Sequence, residues 1–302
     1  MNERFIEMFK FVVLGSAAAL PSKKHLPSCF ALKHGSVYLF ECCEGCQRQM
    51  MKYGVSYFKA KVIFISHLHA DAFLGVFGLV QTLNLMGRTE ELRVFGPKGT
   101  KKFLESALAL NELKPFFKVI VKDANAGIVL EEDDFTVKAF PVKHNAPAVG
   151  YALEENEKTR FDEKKAKAKG IRGKMFTEIS EKGRIRVGNK TVGLEEVTYK
   201  EKGVKVVFSG DTRQTERIEK ESAGADLLIH DACFVEEHRK LAEEKFHSTA
   251  AEAAETAKKA KVKWLLLTHA SNRYDDRSIL LKEAKKTFEN SLIAEEGLEL
   301  EV

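Results

Sequence analysis

Residues 66–72 constrain this chain most, because they bring two imidazoles and a carboxylate within five positions. They follow the apolar run 61–65, which predicts a buried strand. Alternate positions of an extended loop share one side, so His67, His69 and Asp71 are expected to converge on one point. Imidazole and carboxylate ligands favour Zn²⁺, with Fe and Mn as weaker candidates. Taken alone, the stretch also fits a polar turn with two solvated histidines.

The composition is typical of a soluble globular protein rather than a disordered one. The 302 residues are 44% hydrophobic and 31% charged, with a formal net charge of +5. This length is sufficient for one large core or for two domains. No uninterrupted apolar run reaches the ~18 residues of a membrane-spanning helix. Residues 11–20 resemble a signal-peptide core only faintly, because Gly15 and Pro21 indicate a strand that ends in a loop.

The cysteines indicate a reducing compartment. They are odd in number and clustered, which argues against a disulfide framework: Cys29, Cys42, Cys43, Cys46 and Cys233. Residues 42–46 have the ligand type of a zinc site, but no second pair of Cys or His lies at zinc-finger spacing. Buried or helix-entry thiols are therefore the favoured interpretation of this cluster. The expected location is the cytoplasm.

Five predicted strands are each followed by a potential metal ligand or proton carrier. The strands are 61–65, 135–142, 204–208, 225–229 and 262–267. The groups that follow them are His67, His69 and Asp71, then His144, then Asp211, then His230 and Asp231, and finally His269. In open α/β sheets, sites form outside the carboxyl ends of strands, so these groups can meet. One such residue alone is usually a satisfied polar group, but five strand ends together predict a metal centre.

This residue set suits one or two adjacent divalent metals. Such a centre lowers the pKa of bound water to about 7 and stabilises the attacking and leaving oxygens of a displacement at phosphorus. An alkoxide leaving group also needs a proton donor. His247 is the candidate, because it precedes an Ala-rich helix predicted to begin at Ser248.

Residues 152–203 differ from the rest of the chain because they lack sustained apolar periodicity. Between positions 164 and 190 there are ten Lys or Arg and two Glu, a local net charge of +8. Residues 161–169 are compatible with a short basic helix that Gly170 ends. A charge run of this kind is usually a solvated surface arm. Beside a metal centre, it favours an arm that attracts nucleic-acid phosphates.

Over nearly its whole length the chain resembles the metallo-β-lactamase superfamily and, within it, the ribonuclease Z family of transfer-RNA 3′-processing endoribonucleases. The histidine motif alone is shared by many hydrolases. More specific are Glu-Gly-Cys-Gln-Arg-Gln at 44–49, His-Ser-Thr at 247–249 and Asn-Arg-Tyr at 272–274. The other matching stretches are 14–16, 21–24, 41–43, 66–75, 141–144, 150–151, 209–212, 230–234 and 268–271.

The resemblance implies a fold and a substrate. The fold would be the family's αβ/βα sandwich, with two mixed β-sheets flanked by helices. It would form a single domain over residues 1–302, with an inserted exosite arm at 152–203. By the resemblance, that arm would grip the elbow of precursor tRNA, as the family's exosite does, usually across a homodimer, and no membrane partner is expected. The candidate RNA-binding residues are Lys164, Lys165, Lys167, Lys169, Arg172, Lys174 and Arg273.

The resemblance also implies individual roles. The zinc ligands would be His67, His69, His144 and Asp211 for one ion, and Asp71, Asp211 and His269 for the other. Asp71 would also orient the attacking water, in a metal-hydroxide attack that removes 3′ trailers from precursor tRNA. His247, steadied by Asp231, would protonate the leaving ribose oxygen.

Three positions depart from the family pattern. Residues 170–176 replace the usual Gly-Pro-rich part of the arm, and Asp231 replaces a Glu, which shortens the reach to His247. Ala72 stands where the family has a third histidine that ligates the second metal, and alanine cannot coordinate. We therefore expect poor catalysis. The alternatives are a catalytically weak RNA-binding form, or a hydrolase of small phosphodiesters or sulfate esters on the same fold.

Overall fold

Most of the strands belong to two large β-sheets. The computed structural model describes residues 9–302. The sequence also predicts a first strand over residues 8–14, whose first residue, Met8, lies outside the described residues. The strands are β1 Lys10–Gly15, β2 Cys29–His34, β3 Ser36–Phe40, β4 Ala60–Phe64, β5 Leu92–Gly96, β6 Val119–Asp123, β7 Gly127–Glu131, β8 Phe135–Pro141, β9 Val149–Glu155, β10 Lys158–Phe161, β11 Arg184–Val187, β12 Lys190–Gly193, β13 Thr198–Glu201, β14 Lys205–Phe208, β15 Leu227–Asp231, β16 Trp264–Thr268, β17 Ser291–Ile293 and β18 Glu299–Glu301.

Each large sheet combines parallel and antiparallel strands. The first has the order β18-β1-β2-β3-β4-β5-β6, and the second has the order β17-β16-β15-β14-β9-β8-β7. Strands β3 to β6 are parallel in the first sheet, and β14 to β17 are parallel in the second. Parallel strands present their carboxyl ends at one edge, so the residues that follow β4, β14, β15 and β16 can share a site.

Helices cover the outer faces of both sheets. The helices of the described residues, of which α5 and α6 lie in a separate unit described below, are α1 Cys46–Lys52, α2 Ala70–Phe73, α3 Gly75–Leu85, α4 Thr100–Leu108, α5 Glu163–Ala168, α6 Met175–Lys182, α7 Glu216–Glu221, α8 Arg239–Lys245, α9 Ala250–Ala260 and α10 Ser278–Lys285. Over the part of the chain that the structure describes, none of the helices has the length and apolar character needed to cross a membrane.

Three buried clusters account for the layering. An aromatic core that includes Phe40, Phe64 and Phe208 lies between the two sheets, since both sheets contribute to it. A second core joins the first sheet to α1, α2, α3 and α4, and a third joins the second sheet to α7, α9 and α10. Burying one face of each helix against a sheet removes apolar area from water and drives this arrangement. The predicted sandwich of two mixed sheets flanked by helices is confirmed.

Two local predictions need correction. The helix α9 has Thr249 as its N-cap, not Ser248: the Thr249 hydroxyl accepts from the Glu252 amide and the Glu252 carboxylate accepts from the Thr249 amide. The Ser248 hydroxyl instead donates to the Thr212 carbonyl at 2.7 Å. The second correction concerns Asp71, which lies in α2 rather than in an extended loop.

Residues 154–203 form a compact unit of their own, apart from the unit made by the chain before and after them. This smaller unit contains the antiparallel strand pairs β10–β13 and β11–β12, together with α5 and α6. It has a small apolar core of Ala166, Ile171, Ile179, Ile185 and Val192, which the sequence does not reveal because its apolar residues are widely spaced. The predicted helix over 161–169 is shorter in the structure, because Phe161 ends β10 and Asp162 is the N-cap of α5; Gly170, with φ 81, follows the helix as predicted.

Candidate metal centre

The histidine motif follows β4 directly. Its first part is extended and its last part is helical. His69 is extended, with φ −79 and ψ 150, and forms the N-cap of α2. Asp71 therefore sits in the first turn of a helix, where its negative charge is favourable. The prediction that one extended loop carries all three groups is wrong for Asp71, because the short run Ala70–Phe73 adopts a helical turn.

Contacts with the chain after β3 hold this motif in place. The buried Glu41 carboxylate accepts hydrogen bonds from the Ser66 amide at 3.1 and 3.3 Å. Burial raises the pKa of Glu41 well above its usual value. The Gly75 amide donates to the Cys42 carbonyl at 2.9 Å, and a Cβ at Gly75 would lie 1.9 Å from the Cys43 carbonyl oxygen. Only glycine permits this approach.

Three imidazoles meet beside this loop. The ring centroids of His67, His69 and His144 lie 4.6, 4.9 and 5.0 Å apart. His69 Nδ1 lies 3.3 Å from His144 Nε2, while His144 Nδ1 faces the Phe246 carbonyl at 3.2 Å. Burial lowers the pKa of His144 to about 4 and lowers that of His67 well below its usual value. Neutral imidazoles are the form that binds metals.

Asp211 connects this trio to a second set of donors. Its Oδ2 lies 3.5 Å from His67 Nε2 and 3.1 Å from His269 Nε2. Asp71 Oδ2 also lies 3.5 Å from His269 Nε2. Burial raises the pKa of Asp211 to about 6. For Asp71, burial opposes ionisation, but the hydrogen bond and charge of His269 outweigh it and hold the pKa at about 2.

Backbone geometry at Gly210 and His269 is unusual for a reason. Gly210 has φ 60, and a Cβ there would lie 2.5 Å from the Ser66 Cβ, so only glycine lets the Asp211 loop approach the histidine motif. His269 has φ 59, which is uncommon for a residue with a side chain and is found at functional sites.

The donor set fits a divalent metal. His67 Nδ1 is engaged by the Ser66 hydroxyl at 2.8 Å, yet the buried Nε2 has no hydrogen-bond partner. A buried polar atom of this kind is costly unless something binds it. Among the described residues there are three groups whose donor atoms lie within 4.8 Å of one another: His67, His69 and His144; Cys233, His247 and His269; and Asp211, Asp231, His247 and His269. The mixture of imidazole and carboxylate suits zinc and similar ions.

His247 forms a pair with Asp231 at the edge of the centre. Its Nδ1 lies 2.8 Å from Asp231 Oδ2, so the shorter aspartate side chain does reach the imidazole. Asp231 is fully buried and also accepts from the amides of Thr212 and Cys233 at 2.9 and 3.0 Å. Burial lowers the pKa of His247, but the Asp231 charge and hydrogen bond outweigh this, and the pKa is raised. His230 joins none of the donor groups among the described residues.

Arg213 and Glu252 support this pair and were missed by sequence reasoning. The Arg213 guanidinium donates to the His247 carbonyl at 2.5 Å and to the Glu252 carboxylate at 2.8 Å. Glu252 is 1% exposed and also accepts from Arg239 at 3.0 Å. The place of Arg213 in the sequence could have marked it as a site residue, since it comes two residues after Asp211. Glu41 could have been marked in a similar way, since it directly follows β3, the parallel neighbour of β4.

The comparisons with known proteins agree with this geometry. A family model described as a beta-lactamase superfamily domain matches residues 38–162 and 163–270. The ribonucleases Z of Methanosarcina acetivorans and Archaeoglobus fulgidus are both 41% identical, with 98% of this chain and 98% of each relative covered. The crystal structure of human tRNase Z, short form, superposes with a TM-score of 0.72 at 26% identity, covering 97% of this chain and 99% of that one.

The chain belongs to the ribonuclease Z family. The resemblance seen in the sequence is thereby confirmed, as is the metallo-β-lactamase fold. Membership in the ribonuclease Z family makes the chain a metal-dependent endoribonuclease of the hydrolase class. The fold of this family implies a divalent metal, and the His and Asp groups above are donors that could hold it.

Ala72 is the position at which the family resemblance predicts a third histidine. Ala72 lies in α2, is 2% exposed, and packs in the core shared with α1 and α3. Its carbonyl accepts from the Cys42 amide at 2.8 Å, so the helix turn that presents Asp71 is well formed. A methyl group provides no donor atom at this point.

The predicted RNA-binding residues all lie on exposed surface. Three of them are ion-paired within residues 154–203: Lys165 with Asp162 at 3.4 Å, Lys167 with Glu163 at 2.9 Å, and Lys169 with Glu196. Lys164, Arg172 and Lys174 have no carboxylate partner in the described chain. In the other unit, Arg273 lines a cavity of about 330 Å³ that also contains His69, His144, His247 and His269.

Proposed function

We propose that this chain is a zinc-dependent endoribonuclease that removes 3′ trailers from precursor tRNA. The observation that carries the proposal is the convergence of six family-motif side chains at the carboxyl ends of β4, β8, β14 and β16 in a member of the ribonuclease Z family. The human structure described as a tRNase Z supports the choice of substrate.

We assign the metal ligands by proximity. His67, His69, His144 and Asp211 would hold one zinc, and Asp71, Asp211 and His269 would hold a second. Asp211 Oδ2 lies 3.5 Å from His67 Nε2 and 3.1 Å from His269 Nε2, which favours a bridging carboxylate. Metals held in this way lower the pKa of bound water to about 7 and balance charge on the oxygens of a phosphoryl displacement.

The chain's own residues would then orient water and deliver a proton. The Asp71 carboxylate, fixed in the first turn of α2, would accept a hydrogen bond from the attacking water. His247 would protonate the leaving ribose oxygen from the ring nitrogen that Asp231 leaves free. Buried Asp231 holds the imidazole in one orientation and favours its protonated form.

We propose that Ala72 impairs this chemistry. With alanine at this position, the second zinc has only Asp71, Asp211 and His269 as ligands, and one of these is shared with the first zinc. Metal affinity falls as ligands are lost, so the second site would empty at zinc concentrations that still fill the first. A second candidate function follows from the same observation, namely a catalytically weak form that binds RNA.

We propose that residues 154–203 bind the tRNA backbone. Fourteen Lys or Arg against ten Asp or Glu give this unit a net charge of +4. Lys164, Arg172 and Lys174 are exposed and free of carboxylate partners in the described chain, which leaves their charge available to phosphates. A salt-independent interaction with tRNA would contradict this role and would favour a hydrolase of small phosphodiesters or sulfate esters.

The proposal includes a homodimer in the cytoplasm. Five buried cysteines are free thiols, as expected in a reducing compartment. The ribonuclease Z family resemblance supports the dimer. Light scattering on the purified chain tests it, and a mass near 34 kDa would contradict it.

The test of the whole proposal compares this chain with its Ala72→His variant. Both are given Zn²⁺ and a 3′-extended tRNA, and metal per chain is measured by mass spectrometry. We expect two tightly held zinc ions and efficient cleavage only in the variant. An uncut tRNA with the variant would refute the endoribonuclease function. Two tight zinc ions in the unaltered chain would refute the impairment.

A further inference from the structure

Arg213 connects three segments of the proposed centre, and its backbone joins two of them. Its amide donates to the Lys143 carbonyl at 2.9 Å, and the two residues form an isolated antiparallel bridge. The Lys143 amide donates to the Thr212 hydroxyl at 3.2 Å, which reinforces the bridge. The bridge lies next to Asp211 and His144 in the sequence, so it fixes the spacing of two loops that carry proposed zinc ligands.

The side chain of Arg213 reaches a third segment, which carries the proposed proton donor. The guanidinium donates to the His247 carbonyl at 2.5 Å, and the His247 ring is held by Asp231 at 2.8 Å. Asp231 thus restrains the ring, while Arg213 restrains the backbone that carries the ring. Because a guanidinium presents its donors in a rigid planar fork, it fixes the direction of this carbonyl as well as its position.

Glu252 in turn fixes the guanidinium. Both of its carboxylate oxygens accept from Arg213, one from Nη1 at 2.8 Å and the other from Nη2. The Arg213 side chain is 12% exposed and that of Glu252 is 1% exposed, so the pair is shielded from water. The same carboxylate accepts from the Thr249 amide at 2.9 Å and from Arg239 at 3.0 Å. A bidentate, charge-assisted pair of this kind gives geometric specificity, whereas exposed ion pairs contribute little.

A second arginine pair close by in the sequence lacks these features. Arg217 Nη2 lies 2.7 Å from Glu221 Oε1, and the Arg217 side chain is 44% exposed. This pair joins two residues of one helix, α7, whereas Arg213 joins three separate segments. Arg217 is therefore a matched control for the loss of an ion-paired arginine.

We propose that Arg213 is a positioning residue for proton transfer from His247. It sets where the imidazole stands relative to the loops of Asp211 and His144. This inference rests on the proposed role of His247 as the proton donor. A displacement of about 1 Å at a reacting group can slow a reaction about 10²-fold. Loss of Arg213 should therefore slow departure of a ribose oxygen, which needs a proton, and spare a leaving group that needs none.

The test uses three variants of the zinc-loaded Ala72→His chain, namely Arg213→Ala, Arg213→Lys and the control Arg217→Ala. Each is assayed on 3′-extended tRNA and on bis(4-nitrophenyl) phosphate, whose nitrophenolate leaves without a proton. We expect Arg213→Ala to lower kcat on tRNA about 10²-fold, with little change in KM, in zinc content or in the rate on bis(4-nitrophenyl) phosphate. Arg213→Lys keeps the charge without the fork and should lose about tenfold. Free guanidinium at a non-denaturing concentration should restore part of the tRNA cleavage of Arg213→Ala.

A second readout needs neither metal nor substrate. Amide hydrogen exchange at residues 247–249 reports how firmly this segment is held in the metal-free chain. Arg213→Ala should speed this exchange, because the segment loses the guanidinium, and Arg217→Ala should leave it unchanged.

Other results would overturn the inference. Equal slowing on both substrates, or loss of zinc, would mean that Arg213 supports the metal sites rather than the proton donor. An unchanged kcat on tRNA would mean that His247 keeps its place without Arg213. If Arg213→Ala does not fold, Arg213→Lys decides by the same comparison of substrates. A parent Ala72→His chain that leaves tRNA uncut would refute the proposed function together with this inference, whereas a parent and an Arg213→Ala variant that cut equally well would refute the inference alone.

Discussion

The two halves of the metal centre differ in completeness. One half has three imidazoles with centroids 4.6 to 5.0 Å apart, each on a well-fixed segment. The other half has Asp71, His269 and the shared Asp211, and we propose that Ala72 stands where a fourth donor would belong. The difference is confined to one side chain, because the backbone of α2 keeps its hydrogen bond to Cys42.

The comparison of the two halves shows that contacts other than metal ligands hold the loops of the proposed centre in place. Glu41, Ser66 and Gly75 hold the histidine motif through hydrogen bonds and close packing that involve no metal. Asp231 and Arg213 hold His247 in the same way. None of these contacts uses the side chain at position 72, so the two halves can be tested separately.

The largest effect is expected from the carboxylate shared by the two halves. Asp211→Asn should lower zinc content from two ions to none in the Ala72→His background, whereas His67→Ala should remove only the first ion. Cleavage of 3′-extended tRNA should fall on the order of 10³-fold, because the metals supply several kcal/mol of transition-state stabilisation. Metal content and initial rates measure this. Asp226→Asn, before β15, is the control, and one retained zinc in Asp211→Asn would contradict a bridging role.

A smaller effect is expected at the proton donor. Asp231→Asn in the Ala72→His background should slow tRNA cleavage about 10²-fold, because His247 loses its orientation and charge partner. Hydrolysis of bis(4-nitrophenyl) phosphate should slow much less, since nitrophenolate leaves without a proton. Rates on both substrates are compared with those of Asp226→Asn. Equal losses on both substrates would indicate damage to the metal sites instead.

The basic unit should contribute to binding and leave the chemistry unchanged. Replacing Lys164, Arg172 and Lys174 with Ala should weaken tRNA binding about tenfold. The slope of log affinity against log salt concentration should decrease in magnitude by about three, one for each lost cation. The matched triple Ala variant at Lys165, Lys167 and Lys169 should lose less tRNA affinity, because those side chains are already ion-paired. Binding at several salt concentrations measures both. Equal losses would show that the ion pairs open on binding.

Sequence reasoning predicted the centre better than its details. The ends of strands can be predicted from a sequence. An apolar run that stops shortly before His67, Asp211 or His269 indicates the carboxyl end of a strand. The short helix that holds Asp71 was missed, because four residues give no periodicity. Glu41 was missed because its role depends on β3 lying beside β4, which is a long-range pairing.

The thiols and residues 154–203 show the same limit of sequence-based prediction, which is that contacts between distant residues leave no local pattern. The cysteines of the 42–46 cluster were interpreted as buried or helix-entry thiols, and all of them are buried, as are Cys29 and Cys233. Cys233 differs from the other four only through neighbours at positions 247 and 269, which no local pattern relates to it. Within residues 154–203, the apolar core forms from isolated residues such as Ile171 and Ile185, whose spacing has no period.

The smallest effect distinguishes a lost ligand from a packing change. Ala72→His places a larger side chain in a site that is 2% exposed, so without metal it should lower the free energy of unfolding by about 1 kcal/mol. Ala70→His, at the exposed position two residues earlier, should change it little. The measurement is denaturant unfolding with and without Zn²⁺.

Added zinc should reverse the sign of this difference at position 72. At zinc concentrations about 100 times the dissociation constant of the second site, binding stabilises the folded state by about 2.7 kcal/mol. The unaltered chain should gain less, because it lacks the histidine donor, and Ala70→His should behave like it. Ala72→His would then be the less stable protein in chelator and the more stable one in zinc. If Ala72→His remained less stable than the unaltered chain in zinc, the histidine would disturb the core without reaching the metal. Position 72 would then not be the place of a missing ligand.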